Sequence, residues 1–203
     1  MIAAFDIGVK NFAFAVKDKN EFVILRNNSL DKESVTKTDL TRLKKENLVE
    51  LMSNLQISSE KMKKKEMVDI IISKKKKNKY KDVGPALFQL MDDNIHIWDK
   101  CEIFLVERQM TVNRQALKLS HYLEAYLKIR YPTKKVLNYS ASCKTKKLGA
   151  VNLKTKRERK EWTIQYVSKL LKDDNLKYFK SLAKQDDIAD VVCMIQSYNL
   201  NKK

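Results

Sequence analysis

The chain has 203 residues, with 42 Lys and Arg against 25 Asp and Glu, giving a formal charge of +17 and a pI near 9.7. That length holds one principal domain with a real core, and a charge so far from zero points to a polyanionic partner, nucleic acid ahead of an acidic membrane surface. No stretch approaches the roughly 18 consecutive apolar residues of a membrane span, and the start lacks the apolar segment of a secretion signal, so an intracellular protein is expected. Cys101, Cys143 and Cys193 are scattered without a C-x-x-C pair, which argues against a disulfide framework and a zinc site. His96 and His121 lack ligand spacing and read as structural or surface residues.

In chain order, Met1-Ile-Ala-Ala-Phe5-Asp6-Ile-Gly8 is a short apolar run ending in Asp-x-Gly, the pattern of a buried strand that delivers a carboxylate to its end. Asp is common as a turn or capping residue wherever strands end, so Asp6 gains meaning only from later acids. Phe12-Ala-Phe-Ala-Val16 and Glu21-Phe-Val-Ile-Leu-Arg26 read as second and third strands joined by tight connections, hence an antiparallel meander that Asn27-Asn28-Ser29 breaks.

From Asp39 to about Ser73 the apolar period becomes helical, in two segments around Ser58-Ser59. Residues 30–82 are therefore expected to form a helical insertion in a single domain spanning 1–203. Residues 48–72 have a loose likeness to the small SAP-type DNA-binding hairpin. Lys74–Lys81 is a lysine-rich run expected to lie in a loop and contact phosphates.

Gly84-Pro85 restarts the chain, and Ala86, Leu87, Leu90, Met91, Ile95 and Trp98 predict a helix leading into the strand Glu102-Ile-Phe-Leu-Val-Glu107. This strand too ends in a carboxylate, Glu107, followed by Gln109. An amphipathic helix from Asn113 to about Arg130 stops at Tyr131-Pro132, and Lys135–Tyr139 is a further strand. Between Ser140 and Lys160 lie Lys144, Lys146, Lys147, Lys154, Lys156, Arg157, Arg159 and Lys160 with no aromatic residue among them, which suits phosphate contact rather than base reading. A helix starting near Thr155 is expected to turn Trp162, Tyr166, Val167, Leu170 and Leu171 inward. In the last segment, Ile188, Val191, Val192 and Ile195 form one helical stripe flanked by Asp187 and Asp190, which lie about 60° apart around the axis. Asp186 projects away from the stripe and reads as a capping or solvent-facing acid.

Four carboxylates brought together repel unless hard cations neutralise them, and an oxygen-only donor set suits Mg²⁺ or Mn²⁺. Asp6, Glu107, Asp187 and Asp190 are therefore candidate metal ligands for a two-ion phosphodiester hydrolase.

Asp6-Ile-Gly-x-x-Asn11-x-Ala13, Val106-Glu107-Arg-Gln109 and Lys184-x-Asp186-Asp187-x-Ala189-Asp190 resemble the motif set of RuvC-like Holliday junction resolvases of the ribonuclease H superfamily, most closely the mitochondrial and poxvirus branch. The resemblance implies an α/β fold: a ribonuclease H-like mixed sheet with an antiparallel three-strand meander, parallel strands and flanking helices. It also implies a homodimer that cuts four-way DNA junctions by paired symmetric nicks, with two Mg²⁺ per site, in viral recombination and concatemer resolution at replication sites in the host cytoplasm. By the same resemblance Asp6, Glu107, Asp187 and Asp190 are the catalytic carboxylates, Lys184 and Gln109 assist with phosphate or positioning, and Asn11 organises the first turn. An RNase H-like nuclease acting on RNA–DNA hybrids and a non-catalytic nucleic-acid-binding protein are the alternative readings.

If the basic residues contact phosphates, DNA affinity must fall with salt through counterion release. With about six contacts, raising salt from 50 to 200 mM is expected to weaken binding on the order of 10³-fold in a filter-binding titration. A salt-insensitive affinity would contradict phosphate contact.

Overall fold

The computed structural model describes residues 1–31, 37–60, 62–77, 82–140, 145–151 and 153–200. Contacts divide the chain into two compact units, Met1–Asp31 with Val83–Lys203, and Lys32–Asp82.

The larger unit is built on a five-stranded sheet of β1 (Ile2–Asp6), β2 (Phe12–Asp18), β3 (Glu21–Asn28), β4 (Ile103–Glu107) and β5 (Lys135–Tyr139), in the order β3-β2-β1-β4-β5. The first three strands pair antiparallel, while β4 runs parallel to both β1 and β5. This is the mixed sheet expected from the sequence. The β2–β3 hairpin turns through Lys19, whose φ of 47° is left-handed. β3 runs beyond Arg26, where the apolar pattern stops: Asn27 and Asn28 continue the ladder opposite Ala13 and Phe12. The Asn27 backbone N–H donates to the Tyr178 hydroxyl at 3.0 Å, so this polar end is tied down from outside the sheet.

Side chains alternate across each strand, and both sheet faces are covered. On one face Ala3, Phe5, Phe14 and Phe104 meet α4 (Gly84–Asp93), α5 (Ile95–Trp98) and α6 (Arg114–Arg130). The helix expected over this stretch is two: Asn94 ends α4, its amide donating to the Leu90 carbonyl at 2.8 Å, and α5 starts afresh. Trp98 is fully buried, with its ring 5.3 Å from that of Phe5 and 5.1 Å from that of Phe14. Its indole N–H donates to the Met91 carbonyl at 2.9 Å, which satisfies the one polar atom that this burial removes from water. Asn113 caps α6 by accepting from the Ala116 N–H.

On the other face Ala4, Ala13, Ala15 and Leu105 meet the helices α7 (Lys156–Leu170), α8 (Asp173–Ser181) and α9 (Asp186–Leu200). α7 starts at a capping box, with Thr155 accepting from the Glu158 N–H and Glu158 reaching back to the Thr155 N–H. Small side chains at 4, 13 and 15 let α9 lie close to β1 and β2. α9 is buried well beyond its predicted stripe, including Ala189, Cys193 and Met194, because α7 packs over it as well. Trp162 departs from its expected inward position: it is half-buried, stacks on Tyr166 at 5.2 Å and lies outside the core, which Thr163 and Val167 reach instead.

The smaller unit contains α1 (Lys37–Arg42), α2 (Lys45–Asn54) and α3 (Lys64–Lys77) around Leu40, Leu48, Met52, Met67, Val68 and Ile71. Lys37 and Asp69 form an exposed ion pair at 2.6 Å. Lys74–Lys77 continue α3 rather than a loop, and the rest of the lysine-rich run, 78–81, lies outside the described residues.

Trp98→Ala removes the ring at the centre of the aromatic cluster and one of the hydrogen bonds to the Met91 carbonyl, which keeps its bond from the Asn94 N–H. It is expected to cost about 3–5 kcal/mol in urea unfolding, and a loss under 1 kcal/mol would mean that this cluster does not hold the sheet to its helices.

Candidate active site

Strand alternation decides where the two strand-end acids point. Ala4 and Leu105 face the layer of α7, α8 and α9, so Asp6 and Glu107, each two residues further along, lie on that same face. The parallel register pairs Phe5 with Val106, and one step beyond it Asp6 comes beside Glu107 on the neighbouring strand, about 4.8 Å away in the pairing direction. Both are half-buried. Two carboxylates thus leave the same ends of adjacent strands, under the helix that carries the remaining acids.

The turn after Asp6 depends on a glycine. A Cβ on Gly8 would sit 2.7 Å from the Asn11 carbonyl oxygen, so any other residue would push the turn apart before β2 begins. Asn11 lies in this turn, half-buried. After β4 the chain bends away, with the Arg108 N–H donating to the Tyr139 carbonyl at 2.9 Å and the Gln109 amide folding back on the Glu107 carbonyl at 3.2 Å.

The start of α9 supplies the other acids. Asp186 and Asp187 are both buried, and Asp190 is half-buried three residues on, so Asp186 is not the solvent-facing acid that its angle on the helix suggested. α7 covers it, and the Lys160 ammonium, brought from α7, makes a close hydrogen-bonded ion pair with its Oδ2. Lys184, just ahead of α9, donates to both oxygens of Asp187 at 2.5 and 2.8 Å and stands 4.0 Å from Asp186. Acids in a first helical turn are also favoured by the dipole.

Burial alone raises the Asp186 pKa, but the Lys160 hydrogen bond and the charges of Lys184 and Lys160 outweigh it and hold the carboxyl below its usual value. Lys160 is raised in return, first by that hydrogen bond, against its own desolvation, with Asp186, Asp187 and Asp190 all attracting its charge. Lys160 was expected among the phosphate contacts, yet its charge is turned into the acid cluster. The sequence did carry a signal: Lys160, Thr163 and Val167 share the inward face of α7, and a lysine on a buried stripe needs an anion.

The other basic candidates are exposed. Lys146, Lys147, Lys154, Lys156, Arg157 and Arg159 all face solvent, Lys147 lies over the Tyr139 ring at 5.7 Å, and Arg157 pairs with Glu161 at 2.7 Å. Lys144 and Cys143 fall outside the described residues. His96 and His121 are exposed, while Cys101 and Cys193 are buried.

Among the described residues, no three His, Cys, Asp or Glu side chains stand close enough together to hold a metal ion. The cations found against the α9 acids are lysine ammonium groups. The donor types nevertheless fit a hard divalent cation: carboxylate oxygens from two strand ends and one helix start, on one sheet face, with Asp187 already holding a cation between its two oxygens.

No family model matches the chain. It is 54% identical over 202 residues to the uncharacterized protein 97L of Invertebrate iridescent virus 3, covering 98% of each chain. It is 29% identical over 226 residues to the uncharacterized protein 170L of Invertebrate iridescent virus 6, covering 97% of this chain and 87% of that protein. Two solved structures share its fold: the fowlpox virus resolvase in complex with its substrate Holliday junction DNA, and the fowlpox virus Holliday junction resolvase. The first has a TM-score of 0.55 and 14% identity over 99% of this chain and 97% of that one. The second has a TM-score of 0.53 and 14% identity over 100% and 99%. Among the described residues no helix is long and apolar enough to cross a membrane.

The depressed Asp186 pKa predicts an acid limb in stability. Its contribution is complete above the unfolded value near 4 and is lost as pH falls through the lower folded value. The difference in unfolding free energy between the parent protein and Asp186→Asn, expected to be about 1–2 kcal/mol at pH 7, should therefore shrink toward pH 3. A difference that stays constant with pH would remove the Lys160–Asp186 pair from the stability of this region.

Proposed function

We propose, for a chain that belongs to the family of the 97L protein of Invertebrate iridescent virus 3, the activity of a structure-selective DNA endonuclease that resolves four-way junctions. The observation that carries the reading is the shared face of Asp6 and Glu107, at the ends of adjacent parallel strands, beneath the helix whose start bears Asp187 and Asp190. Support for the substrate comes from the likeness to a fowlpox resolvase solved with Holliday junction DNA, and from a charge of +17 suited to a polyanion.

Asp6, Glu107, Asp187 and Asp190 would hold two divalent cations, Mg²⁺ or Mn²⁺, which supply a lowered pKa for an attacking water and neutralise charge on the leaving oxygen. The chain itself fixes the geometry. β1 and β4 hold two of the carboxylates in register, and Lys184, bonded to Asp187, would neutralise a phosphate oxygen brought against that acid. The exposed cations of 146–159 hold the DNA backbone beside the acids without reading bases. Hydrolysis leaves a 5′ phosphate and a 3′ hydroxyl.

A four-way junction has approximate two-fold symmetry, which matches an isologous dimer with one nick from each copy. In this reading the protein is a homodimer that processes recombination intermediates and replication concatemers of a viral genome inside the infected cell.

Incubating the protein with an end-labelled mobile junction and Mg²⁺ should give paired, symmetric nicks on opposing strands. Asp6→Asn should lower cleavage by about a thousandfold or more while junction affinity in a gel-shift titration stays within a factor of three. Normal cutting by Asp6→Asn would defeat the assignment, and preferential cleavage of an RNA–DNA hybrid would move the substrate to that class.

A further inference from the structure

The Lys32–Asp82 unit contributes none of the four acids of the proposed site, and its composition sets it apart from the rest of the chain. It carries 15 Lys and Arg against 8 Asp and Glu in 51 residues, while the other 152 residues carry 27 against 17. Positive charge per residue is therefore about twice as dense in the small unit. It has no His, Cys, Phe or Trp, its one aromatic residue, Tyr80, lies outside the described residues, and its core is made of Leu, Met, Val and Ile alone. It offers a partner no thiol, no imidazole and no described aromatic face on which a base could stack. What it does offer is positive charge held on a packed helical frame.

Much of that charge is uncommitted. Lys37 is paired with Asp69 at 2.6 Å, and Glu66, the acid in the first turn of α3, spends its carboxylate on the Lys63 backbone N–H at 2.8 Å. Lys44 and Lys45 by the start of α2, and Lys63, Lys64 and Lys65 by the start of α3, are all exposed. Among the described residues their ammonium groups have no hydrogen-bond or ion-pair partner. In the larger unit, by contrast, Lys160, Lys184 and Arg157 are engaged by Asp186, Asp187 and Glu161. Two units of like charge on one chain repel each other, and a polyanion shared between them relieves that cost.

We propose that the Lys32–Asp82 unit is a separate binding site for the phosphate backbone of duplex DNA, holding an arm of the substrate while the acids of the larger unit act on it. This rests on the reading of DNA as the substrate given above. Duplex is favoured over single strands because single-strand sites combine charge with aromatic stacking platforms, whereas duplex DNA presents dense phosphate charge to cations alone. A second attachment on the same chain is intramolecular once the first has formed, so the unit contributes to affinity and not to the hydrolytic step.

The test uses the full chain carrying Lys44→Gln, Lys45→Gln, Lys63→Gln, Lys64→Gln and Lys65→Gln together, and measures binding to a blunt duplex of random sequence, without divalent cations, as salt is varied. All five side chains are exposed and Gln is a good helix former, so the fold should be kept. If about three of the five contact phosphates, the slope of log K against log salt should fall by about 2.7, and affinity at about 100 mM salt should weaken roughly tenfold or more. Glu46→Gln, Glu50→Gln and Glu60→Gln together, which remove three exposed acids from the same unit, should tighten binding by about threefold or more. In junction cleavage the five-lysine variant should raise KM by the factor lost in affinity and leave kcat unchanged. Unchanged duplex affinity and slope in that variant would overturn the proposal and turn the charge toward an acidic protein partner. A larger loss on single-stranded DNA than on duplex would overturn the assignment to duplex. Should the five-lysine variant fail to fold, unchanged affinity in the three-glutamate variant would overturn the proposal equally. A parent protein that binds duplex through these lysines but cuts no junction would remove the nuclease reading and leave this site standing.

Discussion

Acidic side chains placed close to one another repel, and this fold sets a lysine against each of the two buried acids at the start of α9. Asp6 and Glu107 are fixed by strand register, which cannot relax without breaking the ladder between β1 and β4. The acids of α9 are fixed by a helix pressed against β1 and β2. Lys160 and Lys184 bring two ammonium groups to the helix start and offset much of the repulsion. Packing sets the rest of this region: small residues let α9 lie close to the sheet, and Gly8 keeps the turn after Asp6 clear of the Asn11 carbonyl.

The opposite face of the sheet serves a different purpose. Phe5, Phe14, Phe104 and Trp98 form a tightly packed aromatic cluster under α4, α5 and α6. Aromatic contacts of this kind contribute through area and ring geometry, and they carry no charge that would perturb the acids across the sheet. Alternation along β1 separates the two tasks residue by residue, with Ala3 and Phe5 building the cluster and Ala4 and Asp6 facing α9. A strand of five residues can therefore stabilise one layer while it positions a carboxylate in the other.

Much of this was legible in the residues themselves. Short apolar runs bounded by turn or acidic residues located every strand, with β5 matching to the residue, and the acids stood out because two strands ended in them. Local signals also gave the starts of α6 and α7, where Asn113 and Thr155 cap. What escaped was whatever depends on distant parts of the chain. The extension of β3 through two asparagines needs Phe12 and Tyr178. Asp186 looked solvent-facing because a helical wheel shows only its own helix, and the cover comes from α7. Trp162 looked like core because size and apolarity argue for burial, yet it is only half-buried and rests on Tyr166. Strand order had no local signal, and parallel pairing between β1 and β4 became visible only in three dimensions.

In chain order the Lys32–Asp82 segment is inserted after the antiparallel meander and before the strand that completes the acid pair. Loop-closure entropy rises only logarithmically, so joining Phe5 to Val106 across a loop of roughly a hundred residues costs about 0.6 kcal/mol more than across one of half that length. Its own core of Leu40, Leu48, Met52, Met67, Val68 and Ile71 compacts the segment and reduces even that difference. A substantial graft at this junction is thus nearly free of conformational penalty, which leaves the segment open to change in size or sequence while the residues on the sheet stay as they are.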